Sequence, residues 1–308
     1  MLTAGLLIAL GLVLLFVGGE ALVRGAVILA HRWRLPPVLI GLTVVGFGTS
    51  MPELVVSLRA ALGGTPDIAL GNIVGSNIAN ALLIIGVAAL VWPIDTRGLH
   101  LRRDLVVMLA AAAVLILPFA METVGRGMGL ALLVGLAVYL VLAFRTAQVT
   151  PDTGEPAPSS PGGLPGALGM VALGLVALVL GARWLVDGAV TVARDFGVSE
   201  AFIGLTIVAV GTSLPELATS VIAALRRQSA IAVGNVVGSN IFNVMGILGV
   251  TAVVAPVPVA PRFLVLDLPA MLAASVVLAL MLRASRLGRA AGAGLLVAYG
   301  AYVWFAAG

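Results

Sequence analysis

Apolar runs long enough to cross a bilayer recur along the whole of this chain, and no other feature narrows its fold as far. They cover approximately residues 3–30, 36–61, 68–92, 104–121, 127–145, 165–190, 199–225, 230–254, 262–282 and 290–307. A helix needs about 20 apolar residues to cross about 30 Å of hydrocarbon. Of the 308 residues, 61% are hydrophobic and 10% are charged, against about a quarter charged in a soluble domain. That leaves too little polar surface to cover a water-facing globule. The pattern predicts an all-α, polytopic membrane protein with ten transmembrane helices. The first run, Leu2 to Leu29, has no basic start and no small-residue cleavage site, so it reads as a retained helix and not a signal peptide. The chain has no cysteine, which excludes disulfides and thiolate metal sites.

Across the middle of the chain the sequence repeats itself. Residues 41–86 align without a gap onto 204–249, at an offset of 163, with 26 of 46 pairs identical. Between the copies lies TAQVTPDTGEPAPSSPGGLPG, a Pro-, Gly- and Ser-rich stretch of linker composition, too short for a folded domain. The expected organisation is a first repeat over 1–145, a short cytoplasmic linker over 146–164 and a second repeat over 165–308. Five spans per half is an odd number. The second copy must then enter the membrane from the opposite face, so the repeats are inverted, an architecture that many secondary transporters share.

All 17 basic side chains are arginine. The loops after the odd-numbered spans hold Arg32, Arg34, Arg97, Arg102, Arg103, Arg145, Arg226, Arg227, Arg283, Arg286 and Arg289. The opposite loops hold Arg59, Arg126, Arg194 and Arg262. Arginine accumulates in cytoplasmic loops, so the bias predicts both termini outside the cytoplasm, in the inner membrane of the cell. It also accounts for the basic balance without a nucleic-acid partner, and no obligate protein partner is evident.

The polar residues inside the apolar runs carry the chemistry. The second span contains Gly48-Thr49-Ser50-Met51-Pro52-Glu53-Leu54, and the seventh contains Gly211-Thr212-Ser213-Leu214-Pro215-Glu216-Leu217. A charged side chain at mid-helix costs about 2.5–3.5 kcal/mol on insertion scales. No lysine exists and no arginine lies mid-span beside either glutamate, so a bound metal cation is the natural partner. Proline deletes a backbone donor and breaks the helix. That frees carbonyls in the segment before it, where Gly46, Thr49, Ala209 and Thr212 stand. The third and eighth spans carry Gly71-Asn72-Ile73-Val74-Gly75-Ser76-Asn77-Ile78-Ala79-Asn80 and Gly234-Asn235-Val236-Val237-Gly238-Ser239-Asn240-Ile241-Phe242-Asn243. Ser76 shares a helical face with Asn80, and Ser239 with Asn243. Asn72, Asn77, Asn235 and Asn240 read equally as helix-to-helix hydrogen-bonding residues. Every candidate ligand is an oxygen, as hard cations prefer. His31 and His100 lie near helix ends and read as interfacial. Glu20 with Arg24, and Arg183 with Asp187, read as structural ion pairs four residues apart.

The paired GTS-x-PEL and GN-x-x-GSN motifs resemble those of the calcium/cation antiporter superfamily, in particular its prokaryotic sodium/calcium exchanger branch, over nearly the whole chain. The resemblance implies a secondary antiporter that exchanges Na+ for Ca2+ by alternating access, with no enzymatic activity and no cofactor. It implies that Glu53 and Glu216 bind Ca2+ with the carbonyls of Thr49 and Thr212. The Na+ sites would use those glutamates, Thr49, Thr212, Ser76, Ser239 and the carbonyls of Gly46 and Ala209, flanked by Asn80 and Asn243. Relatives often have Asp where this chain has Asn243, which puts K+ co-transport in doubt. A proton- or other-cation-coupled antiporter on the same fold stays open as an alternative. A passive channel and an intramembrane hydrolase are more distant ones.

Overall fold

The computed structural model describes residues 2–147, 163–197 and 209–307, so most of the linker and the start of the seventh expected span lie outside the described residues. It is a bundle of helices: α1 (Leu2–Trp33), α2 (Pro37–Thr49), α3 (Met51–Leu62), α4 (Pro66–Val91), α5 (Arg102–Ala120), α6 (Arg126–Arg145), α7 (Gly163–Asp195), α8 (Leu214–Leu225), α9 (Ser229–Val254), α10 (Phe263–Met281) and α11 (Arg289–Ala307). Among the described residues seven helices are each long and apolar enough to cross a membrane, and eight if α2 and α3 form one bent span. Large apolar side chains face outward: Leu173, Val265 and Val297 are 71%, 76% and 73% exposed. The polar motifs face inward, the reverse of a water-soluble core, as lipid on the outside requires.

The second expected span is broken where proline interrupts it. Axes of α2 and α3 diverge by 44°, with Ser50 leaving helical geometry at φ −84°, ψ 7° and Pro52 in the first turn of α3. The second copy repeats this: Ser213 sits at φ −88°, ψ 6° before α8, whose first turn holds Pro215. Wider π-helical turns cover Ala79–Ile84 in α4 and Phe242–Leu248 in α9. They start one residue before Asn80 and Asn243, and their presence was not legible in the spacing.

Helices α1 and α7 pack along each other at backbone contact distance. A Cβ on Gly11 would stand 2.7 Å from the Leu185 amide nitrogen, and one on Gly174 2.7 Å from that of Leu22. Only glycine permits that approach.

Contacts between the halves come in exchanged pairs. β1 (Ile94–Asp95) pairs with β4 (Arg286–Leu287), and β2 (Thr123–Val124) pairs with β3 (Val257–Pro258), Ile94 lying opposite Leu287 and Val124 opposite Val257. The offset of 163 turns Ile94 into Val257 and Val124 into Leu287. Likewise Arg126 Nε donates to the Val253 carbonyl at 3.1 Å and Arg289 Nε to the Leu90 carbonyl at 3.0 Å. Within each half, Tyr139 donates to buried Asp104 and Tyr302 to buried Asp267, both at 3.0 Å. Exchanging the halves therefore reproduces each of these contacts.

The strand pairs also define the two ends. At one, Asp95 accepts from Arg97 at 2.6 Å, which holds the Asp95 carboxyl down at about 2, while its amide donates to Ser229 at 3.1 Å. Such an exposed pair adds little stability. At the other end the Val259 amide donates to the Glu122 carbonyl at 3.0 Å.

Candidate functional site

The two helix breaks meet near the centre. Glu53 and Glu216, each in the first turn of its half-helix, are each 1% exposed. Both stand at a helix start, a place where the helix dipole favours negative charge. The two are near enough for their charges to interact.

The hydroxyls that orient each carboxylate come from the other half. Ser50 donates to Glu216 Oε1 at 2.8 Å, and Ser213 to Glu53 Oε1 at 3.4 Å. Ser213 also lies 3.3 Å from the Ser76 hydroxyl. Thr212 lies beside Glu53 and Thr49 beside Glu216. Two asparagines brace these breaks. Asn72 Nδ2 donates to the Glu53 carbonyl at 3.1 Å and to Ser57 at 2.9 Å, while its Oδ1 accepts from Thr212 at 3.2 Å. Asn235 makes the matching set with the Glu216 carbonyl at 3.2 Å, Ser220 at 2.9 Å and Thr49 at 3.2 Å. Asn72 and Asn235 are therefore bracing residues. Sequence reasoning passed over Ser50 and Ser213, although their identity in both copies was a usable signal.

Ser239, buried, donates to the Gly46 carbonyl at 3.3 Å, and the Ser50 amide donates to the same oxygen at 3.2 Å. Gly46 is thus the expected ligand whose carbonyl is already engaged. Asn80, on the widened turn of α4, donates to Asn240 Oδ1 at 3.0 Å. The turn Ala209–Gly211 places the Ala209 backbone just before the second break.

Four buried oxygens from the expected ligands make no hydrogen bond among the described residues: Glu53 Oε2, Glu216 Oε2, Asn80 Oδ1 and Asn243 Oδ1. Asn77 Oδ1 shares this condition, its amide being turned to the Ile73 carbonyl at 2.9 Å. An orphaned buried acceptor costs about 1–3 kcal/mol, more when charged, and these oxygens lie on elements that pack together; the Asn243 Nδ2 donor beside its Oδ1 is orphaned as well. Among the described residues no group of three or more His, Cys, Asp or Glu could hold a metal. The donor set is two carboxylates plus neutral oxygens, which suits a hard cation passing through better than a tightly held transition metal.

Comparison with known proteins agrees with this chemistry. The family model described as sodium/calcium exchanger protein matches residues 3–145 and 166–308. The inner membrane protein YrbG of Escherichia coli (strain K12) is 38% identical over 316 residues, covering 99% of this chain and 97% of that protein. The sodium/calcium exchanger MaX1 of Methanosarcina acetivorans is 33% identical over 313 residues, covering 89% of each. A structure of the sodium-calcium exchanger NCX_Mj, soaked with 10 mM Na+ and 10 mM Sr2+, superposes with a TM-score of 0.86 at 29% identity over 98% of both chains.

Proposed function

Because the chain belongs to the sodium/calcium exchanger protein family, we propose that it exchanges Na+ for Ca2+ across the inner membrane by alternating access at a midplane oxygen cage. The protein is a multi-pass membrane antiporter of the cation/Ca2+ type and not an enzyme. In the finer reading, ten helices form two inverted five-helix repeats with both termini extracytoplasmic. The exchanged contacts at offset 163 support the inversion. The name of the YrbG relative supports the inner membrane.

The observation that carries the exchange reading is the set of orphaned oxygens on Glu53, Glu216, Asn80 and Asn243. With the hydroxyls of Thr49, Thr212, Ser76 and Ser239 and the carbonyls of Gly46, Thr49, Ala209 and Thr212, they supply the cage. Two ionised glutamates give it a charge of about −2. One Ca2+ neutralises that charge and two Na+ do the same, so one flexible cage serves both ions in turn. A third Na+ leaves the cage positive, and exchange at three Na+ per Ca2+ then responds to membrane potential. Asn243 adds no negative charge to hold a further monovalent ion, so K+ is not required.

The test is Ca2+ flux into proteoliposomes against imposed Na+, K+ and H+ gradients. The expected result is flux that follows the Na+ gradient with choline replacing K+ on both sides. Flux driven by H+ alone would reassign the coupling ion, and flux that needs K+ would overturn the role given to Asn243.

A further inference from the structure

The geometry points to a one-sided latch, Glu20 with Arg226, that biases the protein toward the state in which α1 covers its arginine-rich end. The latch rests on the alternating-access reading and sets the balance between the two end states. Helix α1 lies along α8, with Gly19 against Ile222: a Cβ on Gly19 would stand 2.5 Å from Ile222 Cδ1. One residue on, Arg226 Nε donates to Glu20 Oε2 at 2.8 Å, and Arg226 Nη2 lies 2.6 Å from Oε1. Arg24 Nε stands 2.8 Å from the same Oε1. A guanidinium that meets a carboxylate with both arms fixes direction as well as distance. Arg226 follows the last residue of α8, in the loop after the seventh span. The pair therefore ties α1 to the half-helix that carries Glu216.

The internal repeat shows that the other half lacks this tie. The offset of 163 maps Glu20 to Arg183 and Arg24 to Asp187, with the signs exchanged, and maps Gly63 to Arg226. Arg183 and Asp187 keep their local pair at 3.8 Å, with 77% and 57% of the side chains exposed, and Gly63 has no side chain with which to reach Arg183. The helices follow the charges. While α1 packs along α8, α7 does not pack along α3 in the matching way. Ile222 and Ala223 are buried in a cluster with Leu22 of α1, whereas their matches on α3, Arg59 and Ala60, are exposed and half-buried. Helices α1 and α7 meet backbone to backbone, so they shift as a pair. With inverted repeats, the opposite end state exchanges the roles of the halves. Helix α7 then covers α3, and α1 leaves α8. The two states differ by one ion pair, made on the α8 side alone.

The experiment is thiol labelling of the purified full chain in detergent, with a small methanethiosulfonate reagent and one introduced cysteine, Ala223→Cys or Ala60→Cys; the chain has no native cysteine. Beyond that change the protein is unmutated, and Ala60→Cys should react faster than Ala223→Cys. Adding Arg226→Gln or Glu20→Gln should speed labelling at 223 and slow it at 60, so that the ratio of the two rates shifts about fivefold, as loss of one ion pair allows. Arg226→Lys, which keeps the charge, should recover part of the shift. Gly63 stands at φ −81°, ψ 2°, a conformation open to side chains. Gly63→Glu should give Arg183 its missing partner and move the ratio in the same direction as Arg226→Gln. Arg97→Gln, which removes an exposed ion pair at the same end, should leave the ratio alone. Faster labelling at 223 without slower labelling at 60 would mean local loosening of α8, and an unmoved ratio would leave the pair a surface contact. Either result overturns the latch. The ratio reports conformation and not the ion carried. Flux that follows H+ would therefore revise the exchange reading and spare the latch, while an unmoved ratio beside intact Na+-driven flux would remove the latch alone.

Discussion

Glu53 and Glu216 are equivalent in sequence but not identically held. Ser50 donates to Glu216 at 2.8 Å, whereas Ser213 reaches Glu53 at 3.4 Å and divides its contacts with Ser76. Glu53→Gln or Glu216→Gln keeps size and removes one charge. Ca2+ affinity should fall about tenfold or more, read by isothermal titration on protein purified at unchanged yield; normal transport by either variant would remove that glutamate from the cage. Ser50→Ala should act through Glu216 without touching its charge, lowering Ca2+ affinity about 10- to 100-fold, as loss of a ligand-orienting hydrogen bond does. Ser213→Ala should cost less, because its bond is longer. A larger effect of Ser213→Ala in the same titration would contradict the geometry.

At the scale of elements, close approach of backbones sets the site. A Cβ on Gly238 of α9 would collide with the Leu42 carbonyl oxygen and stand 2.6 Å from the Leu42 Cα. The adjacent residue, Ser239, donates to Gly46. Gly238→Ala must therefore push α9 from α2 and open the cage. The expected overpacking cost is about 1–3 kcal/mol, visible as a lower Tm in detergent together with reduced exchange. Gly300→Ala is the control, since nothing lies within 4 Å of its added Cβ, and it should leave Tm unchanged or slightly raised. Equal melting of the two variants would mean that α2 and α9 yield easily.

For the whole molecule, orientation follows from where the arginines gather. The strand pair β1–β4 and the bond from Asp95 to Ser229 bring the loops after the third, seventh and ninth spans to one end, and these hold eight of the loop arginines. If that end is cytoplasmic, a cysteine introduced at Ser159 in the linker should resist an impermeant thiol reagent in whole cells and react once the membrane is opened. The chain has no native cysteine, so the signal has no background. Ready labelling of intact cells would reverse the orientation.

The apolar runs, the helix breaks at proline and the polar motifs were all legible in the sequence, because lipid penalises a buried charge or an unpaired backbone group wherever it occurs. A local pattern is enough to show that something must compensate Glu53 and Glu216. The repeat was legible too, as an offset of 163. What compensates what was not. That Ser50 serves Glu216, that Ser213 serves Glu53 and that Asn80 meets Asn240 are contacts across 160 or so residues, and Asn72 and Asn235 tie each break to a threonine of the other half. No periodicity encodes them, since they depend on how two half-helices cross. The π-helical turns beside Asn80 and Asn243 likewise leave no mark in the residue spacing. Sequence by itself determined the medium, the repeat and the chemistry of the donors; tertiary structure alone decided which oxygens are left without a partner, because a hydrogen bond is settled by distance in space and not by position in the chain.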